Sequence, residues 1–175
     1  MSDDRLGLIQ EYIRDVPDFP KEGILFKDIT PVLSNPKAFR NCIELFAEHH
    51  KSDRLDHIVA IESRGFIFGA PLALELDVPL TIVRKPGKLP WKTHEVSYDL
   101  EYGSATLQIH QDALKPGDRC LVIDDLLATG GTAAAACTLV NQLEAEVVCC
   151  SFVIELGFLR GAEKISAPTF SLLSF

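Results

Sequence analysis

The chain has 175 residues, 47% hydrophobic and 24% charged, which fits one globular domain with a sizeable core. Its formal charge of −8 argues against a nucleic-acid binder, which normally presents a basic face. No apolar run reaches the roughly 20 residues needed to span a bilayer, and the start Met1-Ser2-Asp3-Asp4-Arg5 is unlike a secretory signal.

In chain order, residues 4–14 read as a short helix with Leu6, Ile9 and Ile13 on one face. The run Pro17-Asp18-Phe19-Pro20-Lys21-Glu22-Gly23 breaks it, and Ile24-Leu25-Phe26 follows as a brief extended piece. Asn35-Pro36 supplies a cap and a first-turn proline for a helix to about His50, with Phe39, Ile43 and Phe46 inward. Residues 57–61 form a buried strand ending at Glu62-Ser63-Arg64-Gly65, followed by a helix over 66–76 and a strand over 80–83. Arg84-Lys85-Pro86-Gly87-Lys88-Leu89-Pro90-Trp91-Lys92 carries four cations and no acid, which in an acidic chain suggests a small polyanionic ligand. Ala105–His110 alternates like a half-exposed strand, and Lys115-Pro116-Gly117-Asp118 turns into a strand over 119–124. A helix over 131–143, a strand over 146–154, and a short helical piece with a final strand over 158–175 complete the chain. Strands alternating with helices imply a single α/β domain, 1–175, with a mostly parallel central sheet flanked by helices. The five cysteines (42, 120, 137, 149, 150) are odd in number, lie mostly in apolar stretches and form no Cys-x-x-Cys; they read as reduced, buried thiols of a cytoplasmic protein.

The most specific stretch is Leu121-Val122-Ile123-Asp124-Asp125-Leu126-Leu127-Ala128-Thr129-Gly130-Gly131-Thr132. A buried run meets two carboxylates, then a glycine turn, then an alanine-rich helix. This places Asp124 and Asp125 at the C-terminal edge of a strand, where open α/β sheets bind ligands. The glycines allow close backbone approach, and the helix aims free N–H groups at an anion. A glycine turn at a helix N-terminus suits a phosphate, and paired carboxylates suit hydroxyls or a hydrated cation; a sugar phosphate offers both partners at once. The chain has neither Gly-x-x-x-x-Gly-Lys-Ser/Thr nor Gly-x-Gly-x-x-Gly, so P-loop and dinucleotide readings fail. The loops after residues 61, 83 and 124 are expected to open at one sheet edge around one cavity.

The string resembles the phosphoribosyl-pyrophosphate (PRPP) signature of type I phosphoribosyltransferases. Four further blocks narrow the resemblance: Pro17–Pro20 with Gly23–Thr30, Glu62–Phe66, Arg84–Pro90 and Tyr98–Gly103. Together they resemble adenine phosphoribosyltransferases from about residue 17 to 153. The resemblance implies transfer of phosphoribose from PRPP to N9 of adenine, yielding AMP and pyrophosphate with Mg²⁺. It assigns Ala128, Thr129, Gly130, Gly131 and Thr132 to the 5′-phosphate and Asp124 and Asp125 to the ribose hydroxyls. It assigns Ser63, Arg64, Arg84, Lys85 and Lys88 to pyrophosphate, Arg suiting bidentate phosphate contacts. Leu25, Phe26 and Lys27, in an N-terminal hood over about 1–34, would meet adenine, with Phe26 stacking on the base. The family often has Arg where this chain has Lys27, which removes a planar guanidinium contact. A flexible lid loop over about 88–102 would bring in Glu101 as a catalytic group beside Arg64, with Tyr102 packing in the lid. Mg²⁺ would be held by PRPP and waters near Asp124 and Asp125, with no direct protein ligand. A homodimer is expected, without nucleic acid or membrane. Alternatives are another purine base (hypoxanthine, guanine or xanthine) or a PRPP-sensing regulator; the latter usually adds a DNA-binding domain or a basic face.

Overall fold

The computed structural model describes residues 4–99 and 103–175. Helix α1 (Asp4–Glu11) buries Ile9 but stops short of the expected residue 14. Arg14–Pro17 instead forms strand β1, paired antiparallel with β2 (Leu25–Asp28) in a small two-stranded sheet. The turn between them is fixed by Asp18, whose carboxylate accepts from Gly23 N at 2.7 Å. Helix α2 (Thr30–Ser34) starts where the Asp28 carboxylate accepts from Thr30 N and Thr30 Oγ1, both at 2.8 Å. Helix α3 (Pro36–His50) begins as its sequence dictates: Asn35 Oδ1 accepts from Lys37 N and Ala38 N at 3.0 Å, with proline in the first turn.

Strand β3 (His57–Ile61), helix α4 (Gly65–Glu75) and strand β4 (Leu80–Val83) follow. Then come β5 (Thr93–Asp99), β6 (Ser104–His110), β7 (Arg119–Leu127), α5 (Gly131–Gln142) and β8 (Glu146–Glu155). Two short 3₁₀ turns, Gly157–Leu159 and Gly161–Lys164, lead to β9 (Thr169–Ser174). The central sheet runs β4-β3-β7-β8-β9 and every pairing is parallel.

Alternation along the strands builds a core on each face. Val59, Ile61, Cys120 and Val122 point toward α5, meeting Ala136, Leu139 and Val140. Ile58, Ala60, Leu121 and Ile123 point the other way, meeting Phe46 of α3 and Phe68 and Leu72 of α4. The chain enters this sheet at β3, goes out to β4 on one side and returns to β7 on the other. The switch point therefore lies between β3 and β7, where a ligand crevice is expected.

Two expectations need correction. Strand β7 does not end at Asp124: it continues to Leu127 because β8 stays paired with it as far as Glu155. Its pairing with β3 stops at Ile123, however, so the two aspartates begin where the neighbouring strand has turned away. Second, the described part of the expected lid, residues 88–99, is not a bare loop; residues 100–102 lie outside the described residues. Thr93–Asp99 pairs with Ser104–His110 in an antiparallel hairpin, because Val96 and Tyr98 alternate inward and pack on the α5-side core. That hairpin, β6 included, is a separate sheet; it joins the central one through backbone bonds between Arg84 and Gln108 at 2.9 and 2.7 Å.

All five cysteines are unbonded and buried, with Cys137 Sγ and Cys150 Sγ 3.4 Å apart. Among the described residues no helix is long and apolar enough to cross a membrane.

Candidate active site

At the switch point lies a cavity of about 370 Å³, walled by Arg64, Lys85, Tyr98, the two aspartates of β7 and the loop running into α5. Asp125 is buried to 5% exposure, and its Oδ2 accepts from Arg64 Nε at 2.5 Å. Asp124 Oδ1 accepts from Asp125 N at 2.9 Å. Burial first, and then the adjacent Asp125 charge, push the Asp124 carboxyl well above the usual carboxylate range. Helix α4 reaches this corner because residue 65 is glycine: a Cβ there would lie 2.7 Å from Ile123 O and 3.2 Å from Asp124 Cα.

The loop after β7 ends at Gly130, which caps α5 in the left-handed conformation (φ +81°) and brings no side chain to its first N–H groups. Those donors and the helix dipole give that end of the cavity the chemistry to receive an anion. Behind the loop stands Gly161. A Cβ on Gly130 would collide with Gly161 O, and one on Gly161 with Ala128 O, so the two backbones meet with no room for a side chain.

The basic loop after β4 is organised by an acid. Glu62, its side chain 6% exposed, accepts from Lys85 N at 2.8 Å and Arg84 Nε at 3.3 Å and pairs with Lys88 Nζ. Burial alone would raise its pKa, but these three donors outweigh burial and hold it down at about 2. Arg84 also donates through Nη1 to Lys88 O at 3.2 Å.

Of the residues expected from sequence, Arg64, Lys85, Asp124, Asp125 and Ala128 to Thr132 all line the cavity. Arg84, Lys88 and Ser63 do not line it: Arg84 and Lys88 pair with Glu62, and Ser63 is exposed in a turn whose Glu62–Ser63 peptide is cis. Among the described residues Leu25, Phe26 and Lys27 are not part of the cavity wall. Leu25 is exposed, Phe26 packs edge-on to Phe19 at 5.2 Å, and Lys27 is held by Asp15 at 2.6 Å and lies over the Phe175 ring. Register explains the Lys27 contact: Asp15 and Lys27 face each other across the β1–β2 ladder. Glu101 and Tyr102 lie outside the described residues. The sequence reading gave no role to Glu62 or Gly161. Glu95 and Asp77 lie nearer to the cationic loop in sequence than Glu62 does, so nothing local singled Glu62 out, and nothing in the sequence flagged Gly161.

The phosphoribosyl transferase domain model matches residues 28–169 of this chain. A curated adenine phosphoribosyltransferase of Anaeromyxobacter dehalogenans is 56% identical over 171 residues, covering 97% of this chain and 99% of the relative. The chain belongs to the adenine phosphoribosyltransferase family. Its kinship extends to the rodent Stochomys longicaudatus, whose adenine phosphoribosyltransferase is 51% identical over 179 residues, covering 100% of this chain and 99% of the relative. The crystal structure of adenine phosphoribosyltransferase from Thermoanaerobacter pseudethanolicus superposes with a TM-score of 0.94 at 50% identity, covering 97% of this chain and 99% of that one. The Saccharomyces cerevisiae family member, solved with an imino-altritol bisphosphate and adenine, gives 0.93 at 43% identity and the same coverages. The five-stranded parallel sheet and its flanking helices are thus the type I phosphoribosyltransferase fold of this family.

Proposed function

We propose that this protein transfers the 5-phosphoribosyl group of PRPP to N9 of adenine, releasing AMP and pyrophosphate. The observation that carries the reading is one cavity holding a carboxylate pair on β7, a glycine-capped helix N-terminus and cations from two neighbouring loops. The relatives' names supply the base.

The two ends of the donor are anionic and its middle carries hydroxyls, and the cavity is arranged in the same order. The N–H groups opening α5 and the hydroxyls of Thr129 and Thr132 receive the 5′-phosphate. Asp124 and Asp125 accept from the 2′- and 3′-hydroxyls. Arg64 and Lys85, with Arg84 and Lys88 behind them, face the pyrophosphate. As the bond from C1 to pyrophosphate breaks, charge grows on the ribose ring and on the leaving group. The cations then stabilise the departing oxygens more than they stabilise the ground state, which is the requirement for acceleration. The bond from N9 to C1 forms as the bond from C1 to pyrophosphate breaks, and the N9 proton passes to the released pyrophosphate or to solvent. Glu101 orients the purine or balances its developing positive charge.

Mg²⁺ is part of the proposal. Among the described residues no group of three or more His, Cys, Asp or Glu side chains is placed to enclose a metal ion. The donor set nevertheless suits a hydrated cation carried in by substrate: two carboxylates at the wall, next to the anion end of the cavity. When bound, it would neutralise pyrophosphate charge during departure. A homodimer also belongs to this reading, supported by the exposed Phe19, Ile24 and Leu25 of the N-terminal sheet. A cytoplasmic site of action is supported by five unbonded thiols.

The deciding assay incubates the protein with Mg²⁺, PRPP and each purine base in turn. AMP is the expected product, formed with adenine; IMP or GMP accumulating without AMP would overturn the choice of base. Omitting Mg²⁺ should abolish turnover, and sedimentation velocity should give the mass of two chains.

A further inference from the structure

We infer that Tyr98 is a positioning residue for the phosphate end of the cavity, acting through the hydroxyl of Thr132. This rests on the phosphoribosyl-transfer reading and deepens it. Tyr98 is the last inward-facing residue of β5, and its hydroxyl lies 3.1 Å from Thr132 Oγ1, its one hydrogen-bond partner among the described residues. Its ring packs on the glycine that opens α5: a Cβ on Gly131 would sit 3.3 Å from Tyr98 Cδ2. Tyr98 also lines the same cavity as the aspartates. The hairpin therefore meets the helix entrance through Tyr98, which touches both members of the Gly131-Thr132 pair, with the Asp99 carbonyl also close to Gly131.

The chemistry follows from the valence of a hydroxyl. Thr132 carries one proton and two lone pairs. When the Tyr98 O–H donates to Thr132 Oγ1, the proton of Thr132 stays available for a phosphate oxygen. Donation into Thr132 also polarises that proton, so the second bond is stronger than it would be alone. Without Tyr98, the threonine hydroxyl is free to turn toward other acceptors, and its orientation must be fixed at the moment of binding. The 5′-phosphate and the seat of the β5–β6 hairpin are thereby linked through two hydroxyls.

The test uses the full chain and measures calorimetric binding of ribose 5-phosphate and, separately, of pyrophosphate to wild type, Tyr98→Phe and Thr132→Val. The phenylalanine variant keeps the ring and loses only the hydroxyl. It should bind ribose 5-phosphate about 3- to 10-fold more weakly, the usual range for one lost neutral hydrogen bond. Pyrophosphate binding and the melting temperature should stay as in wild type, and in steady state the loss should fall on KM for PRPP rather than on kcat. The double variant should lose little beyond Thr132→Val, because both changes remove the same chain of bonds. Ribose 5-phosphate binding unchanged in Tyr98→Phe but weakened in Thr132→Val would overturn this inference and leave the phosphate loop standing. No binding to wild type would remove the phosphate reading itself and this inference with it, whereas no effect of Thr132→Val would remove the role of Thr132 and overturn this inference alone. Equal weakening of both ligands together with a lower melting temperature would mean general packing, and would likewise overturn it.

Discussion

Arg64 and Asp125 neutralise each other across the crevice, with Nε 2.5 Å from Oδ2 and the carboxylate far more buried than the guanidinium. In the proposed reading each serves a different end of the donor, so the pair would tie the pyrophosphate side to the ribose side. Asp125→Asn should lower kcat/KM for PRPP about 10- to 100-fold, the range for a lost hydrogen bond to a charged group. Stability should move little, since Arg64 is half exposed and such pairs contribute about 1 kcal/mol or less. Steady-state kinetics beside a thermal melt checks both halves.

Asp124 should behave in the opposite sense. Its folded-state pKa lies above the unfolded value, so the native state is favoured at low pH and loses that advantage as pH rises through the raised pKa. Asp124→Asn keeps an oxygen to accept from Asp125 N and removes the charge. The variant should melt higher than wild type at pH 7, with the gap closing below about pH 4, where an ordinary Asp is also protonated. Use of PRPP should fall at the same time. A melt series across pH, with kinetics at pH 7, tests the trade.

Glu62 has the reverse linkage. Its pKa is held down at about 2, so the stability it adds is present above the ordinary carboxylate range and fades as pH falls toward 2. Glu62→Gln should therefore melt lower than wild type at neutral pH, and the difference should shrink in acid. Pyrophosphate affinity should drop several-fold, because Arg84 and Lys88 lose the acceptor that holds them in place. Calorimetric titration with pyrophosphate gives the measurement.

Gly130→Ala meets both a left-handed backbone and the carbonyl of Gly161. The conformation alone costs about 1–2 kcal/mol, and the collision adds to it. A fall in melting temperature of at least roughly 4 °C is expected for a chain of this size. Ribose 5-phosphate binding should weaken more than pyrophosphate binding.

What the sequence made legible follows the range of the forces involved. Local signals were read well: Asn35-Pro36 does open α3, and the strands at 57–61 and 80–83 lie where apolar runs end in charged turns. The aspartates, the glycine turn, Arg64 and Lys85 came together as expected because parallel strands bring their C-terminal loops to one edge, whereas Arg84 and Lys88 did not reach the cavity wall. The misses depend on partners distant in sequence. Leu126 and Leu127 stay in β7 because β8 runs beside them, and Arg14–Pro17 is a strand because Leu25–Asp28 is available to pair. Lys27 turned to Asp15 and Phe175, contacts that no local pattern announces. Glu62 was visible as a residue, but its work of gathering three donors exists only after β3 and β4 lie side by side.

The back-to-back contact between Gly130 and Gly161 means that the curve of the loop proposed to cradle phosphate is specified twice, once in each strip of chain. Enlarging either residue presses on the other, so neither surface can be reshaped independently. Redesigning this loop for a bulkier donor must treat the turn behind it as part of the mould, although Gly161 does not line the cavity.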